Sequence, residues 1–216
     1  MKFCSHLAIF CICFMCFAGR MRGQDHNIKT KRIEIDFGLA KTFHYNAPVN
    51  LISCYEGCFA TKQKALPAIN GDISYFISLN EKNEINVGLG GAQYRYYEMG
   101  LAYSPDPNPS EYEETNTYTY IDFFVGHRLT LAAGKKIRPF LENNLIMEVL
   151  PGDWYVIKPV NFAWKIKSGL NIPISTKFTV NMCCYYKTAV LRFDFKDFDS
   201  HYFPYAFGIQ MGVGTL

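Results

Sequence analysis

Hydrophobicity that alternates with a period of two is the feature that most restricts this chain. Residues 119–131 read TYIDFFVGHRLTL, so every second position puts Ile121, Phe123, Val125, His127, Leu129 and Leu131 on one side and Tyr120, Asp122, Phe124, Gly126, Arg128 and Thr130 on the other. That is the signature of a strand with two unlike faces. Further windows of strand character lie near 33–46, 68–79, 85–100, 137–150, 161–172, 177–191 and 204–216, and helical periodicity is nearly absent. The spacing predicts eight strands joined by connections of 21, 5, 16, 5, 10, 4 and 12 residues, long and short in turn. The short ones, NEKNE, AAGKK and PIST, carry turn chemistry, whereas the long ones include SPDPNPSEYEET, PGDWYVIKPV and RFDFKDFDSHYF. All tight turns therefore fall at one end of an up-and-down sheet.

Ahead of these strands, Lys2 precedes an acid-free apolar run from Leu7 to Ala18, the order of a secretory signal and too short to span a bilayer. Cleavage after Ala18 and after Gly23 both fit; we take residues 1–23 as the signal and 24–216 as one domain. None of Cys11, Cys13 and Cys16 follows the small residue that lipid attachment needs. The formal charge of +3 belongs to Lys2, Arg20 and Arg22; without them the bases equal the 19 acids, and nothing argues for nucleic acid as a partner. Four cysteines remain beyond residue 23. Cys54 and Cys58, in CYEGC, can close a local disulfide or stay as two thiols. Cys183 and Cys184 are adjacent on one strand and point to opposite faces.

Which face of the sheet is inside follows from volume. One face collects bulky residues such as Ile33, Phe37, Ile73, Trp164, Met182, Phe207 and Met211, and almost no charge. The other is rich in Gly and Ala, among them Gly88, Gly90, Gly126, Gly208 and Gly212, mixed with polar and charged residues. The interior of an eight-stranded barrel is just wide enough for side chains, so the small-residue face belongs inside and the bulky face meets lipid. Asp122 and Arg128 then point into the lumen, where Arg138 and Glu142 on the next strand can pair with them. The same parity sends Glu34, Asp36, Asp72, Glu148, Lys165, Lys167 and Lys187 inward, a balance of acids and bases that implies a plugged, salt-bridged interior. Parity falters at GLGGAQYRYY, read as a bulge, and at His127, read as a residue near the tight-turn rim. Tyr94, Tyr96, Tyr97, Tyr118, Trp154, Tyr155 and Tyr205 near strand ends suit an interfacial girdle.

With the signal, the strand count, the loop alternation and glycine-bearing segments such as INVGLGGAQYRYY and YAFGIQMGVGTL, the chain resembles the small eight-stranded outer-membrane β-barrel proteins of Gram-negative bacteria, of the OmpA-barrel and OmpX type. The resemblance covers residues from about 31 onward. It implies an all-β, eight-stranded antiparallel up-and-down transmembrane barrel in the outer membrane, with outer-membrane lipid and the barrel-assembly machinery as partners. The family commonly ends in an aromatic residue, whereas this sequence ends in Gly214, Thr215 and Leu216. A wall anchor of the OmpA kind is not expected. The function expected is non-enzymatic: structural, or presenting long external loops to an extracellular or envelope protein, with no cofactor. Two other readings stay open. One is a soluble lipocalin-like barrel with a small apolar ligand inside. The other is a lipid-modifying enzyme, for which only His44 and His201 lie near the long-loop rim and no Ser-His-acid spacing stands out. Asp194, Asp197, Asp199 and His201 could hold a divalent cation at an external loop but lack the glycine turn and spacing of a calcium loop, and the acidic SPDPNPSEYEE reads as a solvated loop.

Overall fold

The computed structural model describes residues 31–45, 58–102, 110–132, 136–151, 160–191 and 203–215. It is all-β. The strands are β1 (Lys31–Tyr45), β2 (Cys58–Ala65), β3 (Pro67–Ser78), β4 (Asn83–Ala102), β5 (Ser110–Thr130), β6 (Arg138–Val149), β7 (Val160–Pro173), β8 (Phe178–Leu191) and β9 (Phe203–Thr215). Each pairs antiparallel with its neighbours, and β1 pairs with both β3 and β9, so the sheet closes on itself. β2 and β3 run as one stave broken at Leu66, both against β4. The ring therefore has eight staves, and closure leaves no free edge around it.

Eight strands appear where the alternation predicts them, but two of the long connections are shorter than expected. β2 occupies part of the first. In the third, β4 and β5 stay paired from Asn83↔Leu129 as far as Ala102↔Ser110. Pro and Glu in SPDPNPSEYEET read as loop, yet the Thr and Tyr residues at 112, 115, 117, 118 and 119 favour extended backbone. Since β5 pairs with β6 only over Ile121–Thr130, the outer parts of β2, β4 and β5 stand above the barrel as a three-stranded extension. Residues 103–109 are then no longer in number than 131–137 at the opposite end, so strict alternation of loop length fails at this hairpin.

Side-chain direction follows parity throughout. Odd positions of β1 and β3–β5 point out, and Phe37 is 70% exposed and Phe207 59%. Even positions point in. The register of β4 with β5 runs unbroken from Asn83 to Ala102, and with β3 from Glu84 to Ala92, so β4 carries no bulge at GLGGAQYRYY; the register changes by one on the facing stave, between Asn70↔Ala92 and Ala65↔Tyr96. Irregularities lie instead at Ala60/Lys62 in β2 and Phe162/Ala163 in β7. The girdle reading is corrected as well: Tyr94 and Tyr96 are buried inside, not at an outer interface. The interior holds large rings, Phe76, Phe124, Phe140, Tyr120 and Tyr185 among them, because glycines opposite them make room. The Phe124 ring, for instance, occupies the space a Cβ on Gly88 would need, and Tyr185 does the same at Gly208. His127 faces outward near the tight-turn end, its Nε2 3.1 Å from the Asn83 side-chain oxygen.

Candidate functional site

The inward faces of the staves assemble a polar interior in three layers, the first two joined by an ion pair. Nearest the tight turns, Arg128 on β5 lies directly across from Glu142 on β6. Cross-strand neighbours on one face have Cβ atoms about 5 Å apart, and Nε of Arg128 donates to Glu142 at 2.6 Å. The other guanidinium nitrogens cross the barrel to both oxygens of Glu34 on β1, at 2.8 and 2.6 Å, a two-pronged grip that fixes orientation as well as charge. Glu34 also accepts from Arg32 at 2.6 Å, and Arg32 reaches Glu84 at 2.8 Å. The guanidinium carbons of Arg32 and Arg128 both lie 4.2 Å from the centre of the Phe76 ring, and that of Arg128 is equally close to Phe140. Such cation–π contacts gain strength where water is excluded.

The middle layer is built on β7, whose alternation brings Lys165 and Lys167 inward. The Lys167 ammonium sits 2.9 Å from Asp36, 3.1 Å from Asp72 and 3.7 Å from Glu142, which ties this layer to the first. Lys165 donates to Asp72 at 2.6 Å. Neutral amides complete the shell: Asn181 donates to Asp36 at 2.9 Å, and Gln210 to Asp72 at 2.9 Å and to Asn70 at 2.6 Å. Toward the long loops, Lys187 on β8 bridges Asp122 at 2.7 Å and Glu148 at 2.5 Å, and the Tyr94 hydroxyl donates to Glu148. The Tyr94 ring meets Tyr120 edge-on with centres 5.1 Å apart and packs with Leu150, an aromatic cover over the charges.

An isolated buried ion costs several kcal/mol, so such a lumen is stable only if nearly every charge finds partners. Acids exceed bases in the three layers: Glu34, Asp36, Asp72, Glu84, Asp122, Glu142 and Glu148 face Arg32, Arg128, Lys165, Lys167 and Lys187. The surplus negative charge is met by uncharged donors, Asn86, Asn144, Asn181, Gln210 and Tyr94, each turned on a carboxylate.

Of the residues singled out from sequence, Arg128, Glu142, Glu34, Asp36, Lys165 and Lys167 come together in one network, and Asp122 joins Lys187 and Glu148. Arg138 does not meet Asp122. Asp122 is level with Glu148, ten residues along β6 from Arg138, which is about 30 Å at the rise of a strand. Arg138 sits instead at the turn end opposite Asn171. Arg32 and Glu84, just outside the windows read from sequence, complete the first layer; their parity with Glu34 and Asn86 was the available signal. Cys183 is buried and Cys184 exposed. Cys54, the Cys58 side chain, Trp154, Tyr155, His201 and the acids of DFKDFDSH, like the signal segment, lie outside the described residues or side chains.

No protein-family model matches the sequence. No curated protein does either. Among solved structures, Neisserial surface protein A superposes with a TM-score of 0.55 at 9% identity, over 86% of this chain and 96% of that one. The N-terminal β-barrel domain of Pseudomonas aeruginosa OprF gives 0.42 at 10% identity over 87% and 98%, and the Yersinia pestis attachment invasion locus protein Ail 0.37 at 8% over 86% and 97%. The first of these establishes the fold alone: an eight-stranded antiparallel barrel of the Gram-negative outer-membrane type.

Proposed function

We propose that this chain is a non-enzymatic outer-membrane β-barrel, exported by its N-terminal signal, whose lumen is plugged and whose long-loop end is presented to an extracellular or envelope protein. The observation that carries the reading is the reversal of the usual soluble pattern: Arg128, Lys167, Glu34, Glu142 and Glu148 are at most 1% exposed, while Phe37, Ile69, Ile209 and Phe207 on the outer wall are 55% exposed or more. Only a hydrocarbon solvent makes that distribution favourable. An apolar ligand inside, as in a lipocalin, would have to lie among the ion pairs of Arg128, Lys165, Lys167 and Lys187. The outer parts of β2, β4 and β5 give the presented surface a folded support, and Lys64, Glu111, Glu113 and Glu114 are exposed on it. Outer-membrane lipid and the barrel-assembly machinery are the remaining partners of this reading; nucleic acid is not one.

Reconstitution of the refolded barrel in planar bilayers tests the plug. Insertion with no resolvable steady conductance is expected. A stable open channel in most insertions would overturn the plugged lumen, and failure to insert at all would overturn the membrane reading.

A further inference from the structure

The outer wall is not uniform. It sinks into an apolar depression of about 700 Å³, centred on β4, β5 and β6 and reaching Ile73 on β3 and Phe162 on β7, whose rim includes Val87, Leu89, Phe123 and Met147. Immediately toward the long loops lie Gly71 and Gly91, directly paired across β3 and β4 and both pointing outward. The Phe37 ring leans over Gly71, 3.2 Å from where a Cβ would be, so the open patch is Gly91 itself, with Ile121 on its other side. A Cβ added to Gly91 would find nothing nearer than the Tyr120 carbonyl at 3.8 Å, so packing within the chain gives no reason for a missing side chain there. Gly88 and Gly90, by contrast, make room for Phe124 and Asp72 in the lumen.

Past the patch the wall turns from apolar to basic. Arg95 is four residues beyond Gly91, about 13 Å along the strand. Lys41 pairs with Pro67 on the neighbouring stave, whose Leu66 donates its backbone N–H to the Arg95 carbonyl at 2.9 Å. Lys41 and Arg95 thus stand two strand spacings apart, about 10 Å. Lys64 is on the next rung, opposite Tyr97. All three are exposed, and among the described residues none of them forms an ion pair. The neighbours of Arg95 on β5 are threonines, Thr115, Thr117 and Thr119, and the first acid on that outward row is Glu113. On the other side of Lys41 the wall changes: Phe207 on β9 is paired directly with it, and the Tyr186 ring packs against Phe207 and Tyr205, so rings replace bases there.

We propose that Lys41, Arg95 and Lys64 hold the phosphate of an outer-leaflet lipid, with one of its acyl chains lying across Gly91, beside the Phe37 ring, into the depression below. Charge complementarity selects a phosphorylated headgroup, since bases at a membrane surface attract anionic lipids by about 1 kcal/mol each. Between Arg95 and Val87 the outward row of β4 carries Gln93, Gly91 and Leu89, and the gap at Gly91 gives a chain lying parallel to the strands room beside apolar Leu89 and Ile121, a feature that a soluble anion would not use. The inference rests on the outward apolar wall of the preceding section and names a lipid for one face of it.

The test uses the full refolded barrel in zwitterionic micelles, with lipid A carrying both phosphates, the same lipid dephosphorylated, and inorganic phosphate as probes, read by native mass spectrometry of the retained lipid. Retention of the phosphorylated lipid is expected to fall about tenfold or more in Lys41→Gln/Arg95→Gln, the equivalent of two lost surface charges, with retention of the dephosphorylated form unchanged. Gly91→Leu should fold normally and weaken both lipids by filling the patch. Equal retention of phosphorylated and dephosphorylated lipid, or no loss in either variant, would overturn the site. Full competition by millimolar inorganic phosphate would reassign it to a soluble anion. Heat-modifiable mobility of each variant in SDS, measured alongside, reports insertion-competent folding separately, so a failure of the barrel reading is distinguishable from a failure of this site.

Discussion

Replacing Arg128 by Met tests how far the lumen depends on complete pairing. The side chain is 1% exposed, donates to Glu142 at 2.6 Å and to Glu34 at 2.8 and 2.6 Å, and lies against the Phe76 and Phe140 rings. Met fills much of the volume but supplies no donors. Glu34 keeps only Arg32, and Glu142 keeps Lys167 at 3.7 Å with the Asn86 and Asn144 amides. Breaking a buried pair from one side costs about 3–5 kcal/mol, and two desolvated ring contacts add to it, so a loss of about 4–6 kcal/mol is expected. The measure is equilibrium urea unfolding of the refolded barrel in micelles, following intrinsic fluorescence. Neutralising the stranded partners as well, in Arg128→Met/Glu34→Gln/Glu142→Gln, should recover most of the loss, because an uncharged filler has no desolvation debt. A single variant that loses under about 1 kcal/mol, or a triple variant no better than the single, would refute the view that mutual pairing of these charges holds the lumen together.

Further expectations bear on packing and on the two faces. Gly212→Leu should abolish folding into the compact SDS-resistant form, because its Cβ would run into the Asp36 carboxylate and lie 2.5 Å from the Ile35 carbonyl, whereas Gly91→Ala should retain it. Ile209→Arg, on the apolar band, should cost about 2–4 kcal/mol in urea unfolding, while Thr188→Arg near its border should cost about 0–1 kcal/mol; equal costs would contradict the placement of the band. With residues 1–23 removed and Cys54 and Cys58 changed to Ser, a small maleimide should label Cys184 in folded micelle-bound protein and spare Cys183, which should react only on unfolding; simultaneous labelling would contradict the parity of β8.

The architecture was legible because a period of two is a physical constraint repeated along the chain: once one face of residues 119–131 is assigned, every other stave inherits its assignment by register. Volume led to the right face for an incomplete reason. Glycines do line the interior, but as sockets for Phe124 and Tyr185, and no local rule tells a lumenal tyrosine from one at an interface; at Tyr94 and Tyr96 parity was the better guide. The hairpin of β4 and β5 was hidden by Pro and Glu near its tip, where cross-strand pairing overrides composition. The charged residues of the lumen were readable one by one. Their partners were not, since Arg128 to Glu34 and Lys187 to Asp122 are contacts across the barrel, set by stagger and tilt. Only Arg128 with Glu142, neighbours in one hairpin, followed from sequence spacing.

The central claim is that the bulky face meets hydrocarbon and the charged face is enclosed. Its most direct test is electrophoresis of the membrane fraction in SDS with and without boiling. An envelope-bound species whose mobility shifts on boiling is predicted, since a closed barrel resists SDS until heated. A protein recovered in the soluble fraction and migrating identically in both lanes would contradict it, and would require the apolar face to be buried in some other way.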